Sequence, residues 1–162
     1  MTISPEKIID SVILQIDNLI DERTRFGEWF YSSPSPIDLA ERRILSVYVR
    51  RAMRCVSKEI YAQLNGPSAL DKLHRLPYSQ SAFVATLELA NFAVHPDHRR
   101  QGIAKGLIDR LVKSAEQHHL YFMIENVENP FLRRYLKKHP QFVMDSKYET
   151  RTMPTFYYRF PS

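Results

Sequence analysis

"FAVHPDHRRQGIAKG", residues 92–106, is the stretch on which the fold turns. Before it runs "AFVATLELANFAV", residues 82–94, rich in small and β-preferring side chains, with Glu88 its single charge. This reads as a long central strand. After it, Ile103, Leu107, Leu111 and Ala115 recur at helical spacing, predicting a helix to about residue 118. The stretch between is therefore a strand-to-helix turn. A helix start leaves backbone N–H groups unpaired and carries partial positive charge. Gly102 lets an anion approach that backbone closely, and Arg99 and Arg100 add charge around it. A diphosphate is the natural guest. The stretch lacks both GxxxxGK[ST] and GxGxxG, which disfavours a nucleoside triphosphatase and a dinucleotide fold.

Outward from this turn, "LYFMIENV" reads as a second strand, and "NPFLRRYLKKHP" as a short helix opened by Pro130. "QFVMDSKYE" and "TFYYRF" read as a final antiparallel pair. Upstream, Ser4 and Pro5 open a helix whose buried stripe is Ile8, Ile9, Val12, Ile13, Ile16, Leu19 and Ile20. A second helix is expected from Ser35 and Pro36, with Leu45, Val49, Ala52, Val56, Ile60 and Leu64 along one side. "NGP" at 65–67 would stop it. Its other side would carry Arg42, Arg43, Arg50, Arg51 and Arg54, facing solvent or an acidic partner. Only "GEWFY" and the approach to Phe83 look extended in this half; Trp29, Phe30 and Tyr31 are expected at a core edge. The expected fold class is α/β, a mixed and mostly antiparallel sheet flanked by helices, with a helical N-terminal half. The expected organisation is one domain over 1–162, with 1–80 as a helical acceptor-side half and 81–162 as the binding half.

The chain has 162 residues, of which 44% are hydrophobic and 25% charged, ordinary for one globular domain. No apolar run approaches the ~20 residues of a membrane span. Cys55 is the single cysteine, which excludes an internal disulfide and suits a reducing cytosol, so a cytoplasmic location is expected. It is read as buried rather than nucleophilic. The six histidines are scattered, and no metal site is expected. A net charge of +5 favours encounter with polyanions without choosing among them.

"FAVHPDHRRQGIAKGLIDRLVKSA" resembles the acyl-CoA-binding motif of the GNAT superfamily of N-acetyltransferases, whose pattern is R/Q-x-x-G-x-G/A after a strand that often ends in V-x-P. Arg99, Gly102 and Ala104 fill the pattern, and Val94 and Pro96 the strand end. The resemblance covers about residues 82–160. It implies an acyl-CoA N-acyltransferase-like fold, with backbone amides of 100–104 on the pyrophosphate of acetyl-CoA. The cofactor-binding set is then Phe92, Ala93, Val94, Arg99, Arg100, Gln101, Gly102, Ile103, Ala104 and Asn129. Asn91 and Asn126 are further cleft candidates; Asn129 equally suits a cap for the helix at Pro130.

A carboxylate in an apolar strand is expensive to bury unless something uses it. Desolvation would raise the Glu88 pKa, and the family places a general base six residues before the strand-ending valine. The alternatives for Glu88 are an exposed strand face or a pair with an arginine of the second helix. Tyr135 corresponds to the family's thiolate-protonating tyrosine, although it falls one position early, turned by about 100° on a helix. Tyr148, Tyr157 or a water would stand in its place. A backbone N–H near Phe92 or Val94 would face the oxyanion.

The expected activity is acetyl transfer from acetyl-CoA to a primary amine of a protein or small molecule. Two alternatives stand beside it: a partner-binding protein of this fold with little or no catalysis, and transfer to aminoacyl-tRNA. Expected partners are acetyl-CoA and an amine acceptor, for which the basic charge suggests an acidic protein. Nucleic acid and a second copy of the chain as a homodimer complete the list; a membrane is not expected.

Overall fold

The computed structural model describes residues 4–22, 29–32, 45–69, 71, 81–125, 127–145 and 154–161. In chain order these give α1 (Pro5–Glu22), β1 (Trp29–Ser32), β2 (Leu45–Ser57), α2 (Lys58–Asn65) and β3 (Ser81–Val94). A 3₁₀ turn at Pro96–His98 leads to α3 (Ile103–Gln117), β4 (Tyr121–Ile124), α4 (Pro130–Lys138), β5 (Phe142–Met144) and β6 (Phe156–Tyr158). The six strands form one sheet in the order β1-β2-β3-β4-β6-β5. Only β3 and β4 are parallel, as the crossover through α3 requires.

The second helix expected from residue 35 is not what the chain forms over 45–57. That segment is a strand, paired with β3 along its length from Leu45↔Val94 to Ser57↔Ser81. The helix begins only at Lys58, where the Ser57 hydroxyl accepts from the Ile60 N–H at 3.2 Å, and ends at Gly66 with φ 89°. Residues 35–44 lie outside the described residues. Arg50, Arg51 and Arg54 therefore stand on a strand, not on a solvated helix face. Arg50 and Arg54 share one face with Val56, while Met53 and Cys55 point the other way. Cys55 is exposed, not buried as expected.

The larger core lies on one face of the sheet. α1 contributes Ile8, Ile9, Val12, Ile13, Ile16 and Ile20, and α3 contributes Ile103, Leu107, Ile108, Leu111 and Ala115. Leu87 and Leu89 meet them from β3. α1 and α3 approach closely at Gly106, where a Cβ would sit 2.8 Å from Ile9 Cδ1. A smaller cluster covers the other face, with Ile60 and Leu64 of α2 over Val56, Ala82, Val84, Met123 and Tyr157. The strands and helices expected over 82–158 are present, including the antiparallel pair β5–β6.

Two irregularities of β3 shape the site. Tyr48 pairs with Asn91 but Val49 pairs with Leu89, so Ala90 is an extra residue bulged from the ladder. The bulge shifts the alternation: Leu87 and Leu89 are in the larger core before it, and Phe92 and Val94 pack on that core after it. Pairing with β4 runs from Thr86↔Tyr121 to Leu89↔Ile124, and the Glu125 N–H then donates to the Leu89 carbonyl at 3.1 Å. Beyond this point β3 continues to Val94 against β2 alone. Among the described residues, the β4-facing edge of Ala90–Val94 is thus open.

Candidate active site

The open edge of β3 leads into the strand-to-helix turn. Arg100 at φ 63° and Gly102 at φ 79° are both left-handed, which curls residues 100–103 around the N-terminus of α3. A left-handed conformation costs a β-carbon-bearing residue about 1–2 kcal/mol, which Arg100 bears at this turn. A Cβ added at Gly102 would meet nothing within 4 Å, so the space before the turn is clear. Gly102 caps α3 with no side-chain bond, and the first turn carries no acidic residue. Among the described residues, the N–H groups from Arg100 to Lys105 donate to no other backbone group, and pairing starts with Gly106 to the Gly102 carbonyl at 2.8 Å. A helix of fifteen residues thus presents free N–H groups and its positive end to open space. These residues fit a diphosphate.

Individual members of the expected binding set fall into different roles. Arg99 donates through Nε to the Val94 carbonyl at 3.0 Å, folding back to close the end of β3. Arg100, Gln101 and Ala93 are exposed. Ile103 is buried in the larger core, so only its backbone faces the turn. Asn129 Oδ1 accepts from the N–H groups of Phe131 at 2.9 Å and Leu132 at 3.1 Å, which caps α4. Asn126 and Tyr148 lie outside the described residues.

Glu88 is completely buried, on the face opposite the larger core. Arg50 stands beside it in register on β2, and Arg54 reaches it from four residues further along the same face. Arg50 Nε and Arg54 Nε each donate to the Glu88 carboxylate, and Arg54 Nη2 adds a third bond at 2.8 Å. The Thr86 hydroxyl lies 2.9 Å from Glu88 Oε1 and 3.0 Å from the Ala52 carbonyl. Both guanidiniums continue to Glu125, Arg50 through Nη2 and Arg54 through Nη2 at 3.2 Å. Two cations and two carboxylates close a box of zero net charge at the point where β3 and β4 part.

The expectation of a raised Glu88 pKa is reversed. Burial does push the carboxyl up, but bonds from Arg54 and Arg50, and from Thr86, outweigh it and hold Glu88 below the ordinary carboxylate range. The two arginines are in turn raised, Arg54 chiefly by its bond to Glu88 and Arg50 by the same pairing against its own burial. The alternative of an arginine-paired Glu88 is the arrangement found, with the partners on a strand.

Tyr135 stands apart from this box. It packs against the larger core and edge-on to His139 at 5.8 Å. Burial, with Asp109 and Tyr158 nearby, pushes its phenol up, so it holds its proton at neutral pH. Tyr157 lies on the Glu88 face, aligned with Met123, and contributes to the field at Arg54. Glu125 is the residue that sequence reading passed over. Its place at the end of "YFMIE" carries no motif, and only the pairing of β3 with β4 brings it to Arg50 and Arg54.

Among the described residues, no group of three or more His, Cys, Asp or Glu side chains could hold a metal ion. No described helix is long and apolar enough to cross a membrane. No curated protein matches the chain. Residues 72–139, which run through β3, the turn, α3, β4 and α4, match the model of the Acetyltransferase (GNAT) family, and the mixed sheet with its helices is consistent with the acyl-CoA N-acyltransferase-like fold.

Proposed function

We propose that this protein transfers the acetyl group of acetyl-CoA to a primary amine. The observation that carries the reading is the open, left-handed turn at 100–103, whose N–H groups stand beside the edge of Ala90–Val94, both free of backbone partners among the described residues. The N–H groups from Arg100 to Ala104 would hold the pyrophosphate, and the β3 edge would pair with the amide-bearing arm. When bound, acetyl-CoA supplies the thioester carbon that the amine attacks. The bulge at Ala90 frees backbone groups of β3 close to the parting of the strands, where an oxyanion donor is needed.

The chain must also handle protons. The resemblance points to Glu88 as the base, but inside the Arg50–Arg54 box Glu88 stays an ionised carboxylate, and its part is to hold the two guanidiniums in place. Tyr135 keeps its proton and is the assigned donor to the departing thiolate. The acceptor reaches the box from the α2 side of the sheet, where Arg50 and Arg54 are each about one-third exposed. Thiol release from acetyl-CoA, followed with a panel of primary amines and lysine peptides, tests the reading. Amine-dependent release supports it. Tight acetyl-CoA binding with no transfer to any of them favours a partner-binding protein instead.

A further inference from the structure

The two carboxylates of the box are not equivalent. Glu88 has no exposed surface, and its two oxygens face three arginine N–H groups and the Thr86 hydroxyl. An ionised carboxylate has about four acceptor sites. Three of these sites take arginine N–H groups and the Thr86 hydroxyl, whose one hydrogen is also within reach of the Ala52 carbonyl, lies against Glu88 Oε1, so an incoming ammonium finds no path to this buried carboxylate. Glu125 accepts one bond on each oxygen, from Arg50 and Arg54, which leaves about two acceptor sites free. Its side chain is 20% exposed. Among the described residues it is also the last of its segment tied to β3, through its N–H on the Leu89 carbonyl, so it stands where the strands part.

We propose that Glu125 is the catalytic residue that binds the acceptor ammonium and takes its proton, while Glu88 is a positioning residue that fixes the two guanidiniums around it. The inference rests on the acetyl-transfer reading. In the step, R–NH3⁺ gives one proton to Glu125 and becomes a neutral amine. Its lone pair forms the N–C bond to the thioester carbon, the C–S bond breaks, Tyr135 gives its proton to the thiolate, and the second nitrogen proton restores the phenol. Glu125 returns its proton to solvent through its exposed edge.

The test compares the full-length chain with its Glu125→Gln variant. Calorimetry with acetyl-CoA comes first, and both proteins should bind it equally, since Glu125 lies off the turn at 100–104. Absence of binding by the folded wild type would remove the acetyl-transfer reading itself, and so is distinct from failure of this inference. Transfer is then measured with n-butylamine, spermidine and a lysine peptide, which are protonated at neutral pH, and with trifluoroethylamine, which is largely neutral. Glu125→Gln should lower kcat/KM by ~10²–10⁴-fold for the protonated amines, with a clearly smaller loss for trifluoroethylamine. An equal loss for all four amines, or no loss, would overturn the role. A readout independent of turnover is carbodiimide-driven amine coupling followed by peptide mass mapping. Coupling at Glu125 with Glu88 spared supports the division of roles; coupling at Glu88 ahead of Glu125 in the folded protein refutes it.

Discussion

Glu88→Gln probes what holds the centre of the sheet together. The amide keeps the shape of the carboxylate but not its charge, and only one of its two heteroatoms accepts. One amide edge would face Arg54 Nε and the Thr86 hydroxyl, and the other Arg50 Nε and Arg54 Nη2. Thr86 can turn its hydroxyl to accept, so the better orientation puts the amide nitrogen toward it. A donor–donor conflict with Arg54 Nε then remains. Breaking a buried ion pair by removing one partner costs about 3–5 kcal/mol. Here the side chains of Arg50 and Arg54 are 29% and 32% exposed and keep Glu125, so water and that carboxylate recover part of the loss. The expected destabilisation is ~2–4 kcal/mol, a fall in Tm of roughly 5–15 °C for a chain of this size. Urea unfolding at neutral pH with an unchanged m-value would measure it. The pH dependence has a fixed sign. The folded pKa of Glu88 is depressed, so its contribution is present above the unfolded value of 4.5 and is lost as pH falls through the folded pKa. The gap between wild type and variant should therefore close in acid. Replacing Arg50, Arg54, Glu88 and Glu125 together by methionine should cost less than Glu88→Gln alone, since no charge of the box is left without its partner. A Glu88→Gln variant as stable as wild type at neutral pH, or a gap that widens in acid, would refute the reasoning.

Asn129→Ala should destabilise by ~1 kcal/mol through loss of the α4 cap, and leave acetyl-CoA affinity unchanged, because Oδ1 is already committed to the Phe131 and Leu132 N–H groups; urea midpoints and calorimetry check both halves. His118 joins α3 to α1 through the Ser114 carbonyl at 2.8 Å and Asp21 at 3.0 Å. Burial lowers its pKa, but these partners and Asp17 outweigh burial and raise it above 6.5. Its contribution is thus full below 6.5 and is lost as pH rises through the folded pKa, so the stability gap to His118→Gln should shrink over that rise in urea titrations.

The C-terminal half was legible because each of its signals is local. Ile103, Leu107, Leu111 and Ala115 line a helix that starts at Gly102, in the left-handed turn its place demanded, and Asn129 with Pro130 opens α4. The segment 45–57 was misread for a reason of arithmetic. Leu45 to Val49 and Ala52 to Val56 are each four apart, which is one helical turn and also two strand repeats. The deciding residue was Val47, which makes Leu45, Val47 and Val49 an alternating buried set. Arginine, alanine and methionine after it favour helix by propensity, and pairing with β3 overrides them. The site suffered from the same error. With Arg50 and Arg54 assigned to a helix, Glu88 stood alone in an apolar strand, and a raised pKa followed. Glu125 could be found only once the register of β3 against β4 was known, because contact across strands leaves no trace in local spacing.

On the proposed function, the turn before α3 holds the pyrophosphate of acetyl-CoA. The most direct test is an amide-resolved NMR titration of the ¹⁵N-labelled protein with acetyl-CoA, alongside Gly102→Asp. A Cβ at Gly102 meets nothing, so the variant should keep its fold apart from left-handed strain at one residue, while its carboxylate stands where the phosphates would lie. The account predicts saturable shifts concentrated on the N–H groups from Arg100 to Lys105 and along Ala90–Val94, all absent in Gly102→Asp. No shifts at millimolar acetyl-CoA with the wild type folded, or saturable shifts that spare the turn and persist in Gly102→Asp, would contradict it.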